Sequence, residues 1–211
     1  MPFFIVIEGL DGSGKSTAAK RLAEMLAMRH GAEVLTTYEP HDPSCGGDYI
    51  RQVLTKKITR FRPRTLALAF AANRLDHCDR EIIPWLEGGP ARIVISDRYY
   101  LSSLVYQATG DFSMEDVLRI NELALKPDLI FFLNVRNEVC YERMKTRNLP
   151  PELFEENLEE TRRKYLAAIE FLRREHGETI VEIDGNGPVD ATVDAMLAQL
   201  SAHFALSEIN G

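Results

Sequence analysis

"FIVIEGLDGSGKSTAAKRLAEML", residues 4–26, joins an apolar run, a glycine-rich turn and a helical repeat. The run from Phe3 to Ile7 has no polar alternation, as expected of a strand buried on both faces of a parallel sheet. Ala19, Leu22, Ala23 and Leu26 form one face of a helix that stops near Gly31. Between them, Gly9, Gly14, Lys15 and Ser16 occupy the fixed places of G-x-x-x-x-G-K-[ST]. Glycines let the backbone wrap phosphate oxygens closely, with N–H groups turned inward, and the helix N-terminus adds positive potential. The stretch Gly9, Leu10, Asp11, Gly12, Ser13, Gly14, Lys15, Ser16 and Thr17 therefore reads as a triphosphate cradle. Lys15 is expected to bridge the β- and γ-phosphates, and the Ser16 hydroxyl to bind Mg²⁺. A carboxylate in such a cradle, Asp11, needs a separate explanation.

Working outward, similar apolar runs recur at Ile93–Ile95, Leu129–Val135 and Thr179–Ile183, with a weaker one at Glu33–Thr37. Helical periodicity fills the gaps. One long helix is expected from Pro63, resuming at Ile82 and ending near Gly88-Gly89. Others are expected from about Ser113 to Leu125, from Asn137 as a capping residue, from Glu155 to Glu175, and from Val189 to Phe204. Strands alternating with helices imply right-handed βαβ units, hence a three-layer α/β fold of the P-loop NTPase type with a five-stranded parallel sheet. A single domain over residues 1–206 is expected, with a lid at about 143–154 around "NLPPEL" and a flexible tail at 207–211.

Composition narrows the function classes. The 211 residues carry a net charge of -7, which argues against a general nucleic-acid or membrane-surface binder. No segment approaches the ~20 apolar residues of a membrane span, and the N-terminus lacks the basic region of a signal peptide. Cys45, Cys78 and Cys140 are far apart without metal spacing, as expected of free thiols in a reducing cytoplasm.

"IVISDRYY" ends a buried strand at Asp97, the edge where α/β sheets bind ligands. Asp97 can orient Mg²⁺ or serve as a helix cap. Arg98 can hold a phosphate in its planar fork or form a surface ion pair. "ERMKTR" sets Arg143, Lys145 and Arg147 at a helix end, where cations answer the helix dipole or serve a lid closing over the nucleotide. In GTPases an arginine delivered to the transferring phosphoryl group contributes roughly 10³–10⁵ in rate.

Together with "EP" at 39–40, "FAANRLDH" at 70–77, "DRYYLSSLVYQ" at 97–107 and "KPDLIFFLNV" at 126–135, these segments resemble the thymidylate kinase family in order, over about Phe3 to Leu200. The resemblance implies transfer of the γ-phosphate of ATP to dTMP, with Mg²⁺, in a cytoplasmic homodimer. It also implies roles. Asp11 accepts from the sugar 3′-hydroxyl, which explains its place in the cradle. Phe70 stacks on thymine, Arg74 donates to a thymine carbonyl, and Arg98 holds the acceptor phosphate. Ser103 and Gln107 lie near the base edge, and Tyr106 packs where a 2′-hydroxyl would sit. Tyr165 closes the thymidine pocket, Glu39 lies on the acceptor side, and Arg143 lies flat against adenine. Each aromatic could equally be a core residue, and Arg74 a surface charge.

The chain departs from the family pattern in three places. Tyr38 stands where many members have an arginine before Glu-Pro, leaving Arg51 as the nearest substitute. Gly12 stands where some members carry a catalytic arginine. An arginine frequent after the lid is absent from Glu152-Leu153-Phe154-Glu155. Arg147, with Lys145, is left to supply the catalytic charge. Two rival readings are another P-loop kinase for nucleosides or nucleoside monophosphates, and a nucleotide-binding regulator without turnover. A kinase with a neutral hydroxyl acceptor needs a carboxylate base, and the side chain of Glu8 precedes the loop.

Overall fold

Phe4, Ile5, Val6 and Ile7 have no exposed surface, because their strand is covered on both faces. The computed structural model describes residues 1–146, 153 and 157–209. In order, β1 (Phe3–Gly9), α1 (Lys15–His30), β2 (Glu33–Tyr38), α2 (Gly47–Leu54) and α3 (Pro63–His77) are followed by a π-helical turn (Cys78–Ile82) and α4 (Ile83–Glu87). Then come β3 (Arg92–Asp97), α5 (Tyr100–Gln107), α6 (Met114–Arg119), β4 (Leu129–Asn134), α7 (Asn137–Lys145), α8 (Leu158–His176), β5 (Ile180–Asp184) and α9 (Val189–Ile209).

The sheet has five strands in the order β2-β3-β1-β4-β5, and every pairing is parallel. Ile7 pairs with Asp97 and Gly9 with Leu133, so the glycine turn and the acidic end of β3 emerge at the same edge. The core joins this sheet to Leu22 and Leu26 of α1, Leu101 and Leu104 of α5, Ile169 and Leu172 of α8, and Met196 of α9. A second, smaller cluster packs Ile50, Val53 and Leu54 of α2 against Leu66 and Phe70 of α3.

Three helices differ from the sequence expectation. The one expected from Pro63 to Gly88-Gly89, its pattern resuming at Ile82, passes through a π turn at Cys78–Ile82. Pro84 lacks an N–H and its ring crowds the carbonyl four residues back, so the chain widens into a π turn there. The helix expected to reach Leu125 stops at Arg119. Asn121 donates through its side chain to the Val117 carbonyl at 2.7 Å, taking the acceptor that its own amide would use in a continuing helix. Asn137 is not a cap but the first helical residue, after extended Arg136. α5 is a helix that periodicity conceals, since seven of its eight residues are buried and it has no polar face.

Candidate active site

The turn after β1 is built from left-handed backbone. Gly12 has φ 78° and Gly14 φ 93°, and Gly14 immediately precedes α1. A side chain on Gly12 would meet the Cys140 carbonyl at 2.4 Å, so the loop lies directly on α7 and leaves no room there for an arginine. Lys15 is almost fully buried and its Nζ donates to the Leu10 carbonyl at 2.8 Å, with Asp11 4.0 Å away. Burial, then the nearby Arg98, lower the Lys15 pKa, while Asp11, Asp97 and Glu8 oppose that shift.

The Ser16 hydroxyl donates to Asp97 Oδ2. The other oxygen, Asp97 Oδ1, is buried without a hydrogen-bond partner among the described residues. A hydroxyl and a half-satisfied carboxylate side by side are the oxygen donors a hard divalent cation takes, so these residues fit Mg²⁺.

Arg98 is one of two non-glycine residues with positive φ among those described, at 73°. Its guanidinium donates to Asp11, to the Tyr165 hydroxyl at 2.8 Å and to the Ser102 hydroxyl at 3.0 Å. Beneath it lies Glu8, fully buried at the end of β1. Glu8 accepts from the amides of Tyr99 at 2.9 Å and Ser102 at 3.0 Å. It also accepts from the Ser102 hydroxyl at 2.7 Å and the Tyr165 hydroxyl at 3.0 Å. Burial raises the Glu8 pKa, against the pull of Arg98 and these donors.

Two cavities meet at Asp11 and Arg98. The first, of about 150 Å³, is lined by Asp11, Glu39, Pro40, Arg51, Leu54, Phe70, Arg74, Arg98, Tyr99, Ser102, Ser103, Tyr106 and Gln107. Nine of the ten residues expected from the sequence to face the acceptor line it, and Tyr165 stands behind the wall, bonded to Arg98 and Ser102 and edge-on to the Tyr106 ring. The second is a polar cleft over Gly14, Lys15, Ser16, Thr17 and Asp97, reaching Tyr38, Glu39 and Arg51. A third, on the far side of the loop, runs from Ser13 and Thr17 to Gly185, Gly187 and Pro188. Arg143 crosses it, donating to the carbonyls of Ser13 at 3.0 Å and Gly185 at 3.1 Å.

Within the first cavity, Arg74 is buried and donates from Nε to Glu39 at 2.6 Å and from Nη1 to Asn121. Its guanidinium also lies 5.2 Å from the Tyr99 ring centre. The Gln107 carbonyl oxygen and Ser103 hydroxyl are buried without partners among the described residues, polar atoms of the kind a bound base would satisfy. Glu39–Pro40 is a cis peptide. Arg51 pairs with Asp42 at 3.1 Å on the cavity rim. Arg147 lies outside the described residues. Leu153, across the same segment, donates its amide to Leu54 at 3.1 Å and packs on the cluster containing Phe70.

Sequence reasoning missed the structural use of Glu8, the anchoring of Arg74 by Glu39 and Asn121, and the cavity wall formed by Leu54, Tyr99 and Ser102. The SS pair inside "DRYYLSS" was a legible signal for Ser102. Asn121, 47 residues from Arg74, had none.

A family profile described as "Thymidylate kinase" matches residues 7–196. Proteins named "Probable thymidylate kinase" are among the relatives. That of Thermococcus kodakarensis is 42% identical over 158 residues, covering 71% of this chain and 74% of the relative. That of Staphylothermus marinus is 43% identical over 147 residues, covering 69% and 70%. That of Caldivirga maquilingensis is 33% identical over 199 residues, covering 93% and 92%.

Proposed function

The chain belongs to the thymidylate kinase family, and we propose from that membership and the geometry above that it transfers the γ-phosphate of ATP to dTMP. One observation carries the reading: a half-apolar cavity with a ring, Phe70, and a buried cation, Arg74, opens onto the phosphate cleft through the shared Asp11–Arg98 pair. A flat base fits beside Phe70, with its polar edge toward Arg74, Ser103 and Gln107. Asp11 then faces the sugar 3′-hydroxyl, and Arg98 the acceptor phosphate. Tyr106 stands against the sugar.

On the donor side, the loop amides and Lys15 hold the β- and γ-phosphates, and adenine lies in the cleft crossed by Arg143. Ser16 and Asp97 would hold Mg²⁺, which spreads the charge of the transferring group. The acceptor oxygen is already anionic, so in-line attack requires alignment and charge stabilisation rather than a base. Lys15 and Arg98 both line the polar cleft through which the transferring group would pass. The sequence assigns the last cation to Arg147, on a lid over residues 143–154, with Lys145 beside it. The kinase domain is assigned to residues 1–206, with α9 continuing to Ile209. Free cysteines suit a cytoplasmic enzyme, and the exposed Leu68 on α3 suits a homodimer through that helix.

Glu8 argues against the rival nucleoside kinase. Both of its oxygens are held, by the Tyr99 amide just before α5, by Ser102 of α5 and by Tyr165 of α8, and it lines none of the three cavities. It is not available as a base for a neutral hydroxyl. A coupled assay of ADP release separates the readings: dTMP supports turnover and thymidine does not. Turnover with thymidine in preference to dTMP would reverse this conclusion.

A further inference from the structure

Behind the acceptor cavity, two histidines and a carboxylate converge at the junction of β2, α3 and the π turn. His77 Nε2 lies 3.0 Å from Glu81 Oε2, and His41 Nε2 lies 3.6 Å from the same oxygen. The Thr37 hydroxyl sits among them, 2.8 Å from His77 Nε2 and 3.0 Å from Glu81 Oε2. The three ligand atoms are all within 4.8 Å of one another.

The outer nitrogens fix what the inner ones offer. His77 Nδ1 faces the Glu39 carboxylate at 3.4 Å, and only a donor belongs there. In the neutral ring this leaves Nε2 as a bare lone pair directed at Glu81, which is also an acceptor. His41 Nδ1 is likewise engaged, by the Ser44 hydroxyl at 2.8 Å, and turns Nε2 inward. The Thr37 proton can serve one of these contacts, not all of them. The centre therefore calls for positive charge. A divalent cation takes both imidazoles and the carboxylate together.

We propose that His41, His77 and Glu81 bind a transition-metal ion of the Zn²⁺ class, with the Thr37 hydroxyl or water completing the shell. Imidazole and carboxylate ligands suit such ions. Carboxylate–histidine–metal pairing is supplied by Glu39, and Ser44 plays the same outer role for His41. The rings stack with centres 4.0 Å apart, so binding at ~2.0–2.2 Å requires His41 to tilt and Glu81 to swing inward. His77 is buried and stays in place, while the half-exposed Glu81 provides the entry path. Glu39 shares its other oxygen with Arg74, so the ion would staple the loop after β2 to the helix that carries Phe70 and Arg74. The site is separate from Ser16 and Asp97, and its existence does not depend on the kinase reading.

The test uses full-length protein stripped by chelator, dialysed and kept in excess Mg²⁺, then titrated with Co²⁺ alone and challenged with Zn²⁺. A single saturable equivalent with visible ligand-field bands, displaced by Zn²⁺ and raising the Tm, is expected. His41→Ala and Glu81→Gln should each weaken binding by about tenfold or more, while both variants keep folded circular dichroism and ADP release with dTMP. Cys45→Ser should bind as wild type does. Absence of saturable Co²⁺ or Zn²⁺ uptake would overturn the site. So would unchanged uptake in His41→Ala, or loss confined to Cys45→Ser.

Discussion

The Arg98 guanidinium donates to the Tyr165 hydroxyl at 2.8 Å, and Tyr165 in turn donates to Glu8 at 3.0 Å. The end of β1, the turn after β3 and the middle of α8 are thus tied at one point, although they lie far apart in the chain. This buried knot holds Arg98 at φ 73°, a conformation costly for any residue with a side chain, and aims it at Asp11.

Glu8→Gln should alter the pH dependence of stability. The folded carboxyl has a pKa raised above 4.5, first by burial. Between 4.5 and that raised value the folded chain retains a proton that the unfolded chain has lost, so this group's contribution to stability falls as pH rises. Glutamine does not titrate there. The Tm of wild type relative to the variant should decline with rising pH across that window and be level at more acid pH. A difference independent of pH would show that Glu8 does not titrate as its burial requires.

Lys15→Ala should lower kcat on the order of 10²-fold or more, as loss of a charged donor to a developing anion does. Among the described residues its side chain bonds the Leu10 carbonyl and pairs loosely with Asp11, so the fold should persist by circular dichroism. Wild-type turnover in a coupled assay would remove Lys15 from the phosphate cradle.

Phe70→Leu removes the ring while keeping an apolar side chain in the α2–α3 cluster. Stacking of a base on an aromatic contributes about 1–3 kcal/mol, so KM for dTMP should rise roughly 5- to 150-fold with KM for ATP little changed. An unchanged KM for dTMP would place the base elsewhere.

Tyr106→Phe should keep discrimination against UMP. The ring lines the cavity, 5.5 Å from the Arg98 guanidinium, and it is the ring's bulk that would exclude a 2′-hydroxyl. Gain of UMP turnover in this variant would assign the discrimination to the phenol.

Arg147→Ala should lower kcat far more than it raises KM for dTMP, up to the order of 10³-fold, because a lid cation acts chiefly in the transition state. Unchanged kcat would move the role to Lys145 or Arg143.

Much of this was legible in the chain. The glycine loop, with a buried strand before it and an amphipathic helix after it, marks both fold and phosphate site locally, since six consecutive residues from Gly12 to Thr17 do the work together. Asp97 and Arg98 are readable because they end an apolar run at the ligand-binding edge of a parallel sheet. The Arg74–Glu39–His77 chain was not readable, because its partners meet only when the end of β2 packs on α3. The Glu8 knot was hidden for a similar reason: a lone acid after a strand looks the same whether it faces substrate or the core. α5 escaped detection because a helix buried on all sides has no hydrophobic period.

The most direct test of the central claim is diffraction from crystals grown with dTMP and a non-hydrolysable ATP analogue. The thymine ring should lie against Phe70 with Arg74 at its edge, the acceptor phosphate on Arg98, and the triphosphate over Gly12–Thr17. A pyrimidine bound away from Phe70, or a triphosphate away from Lys15, would contradict it.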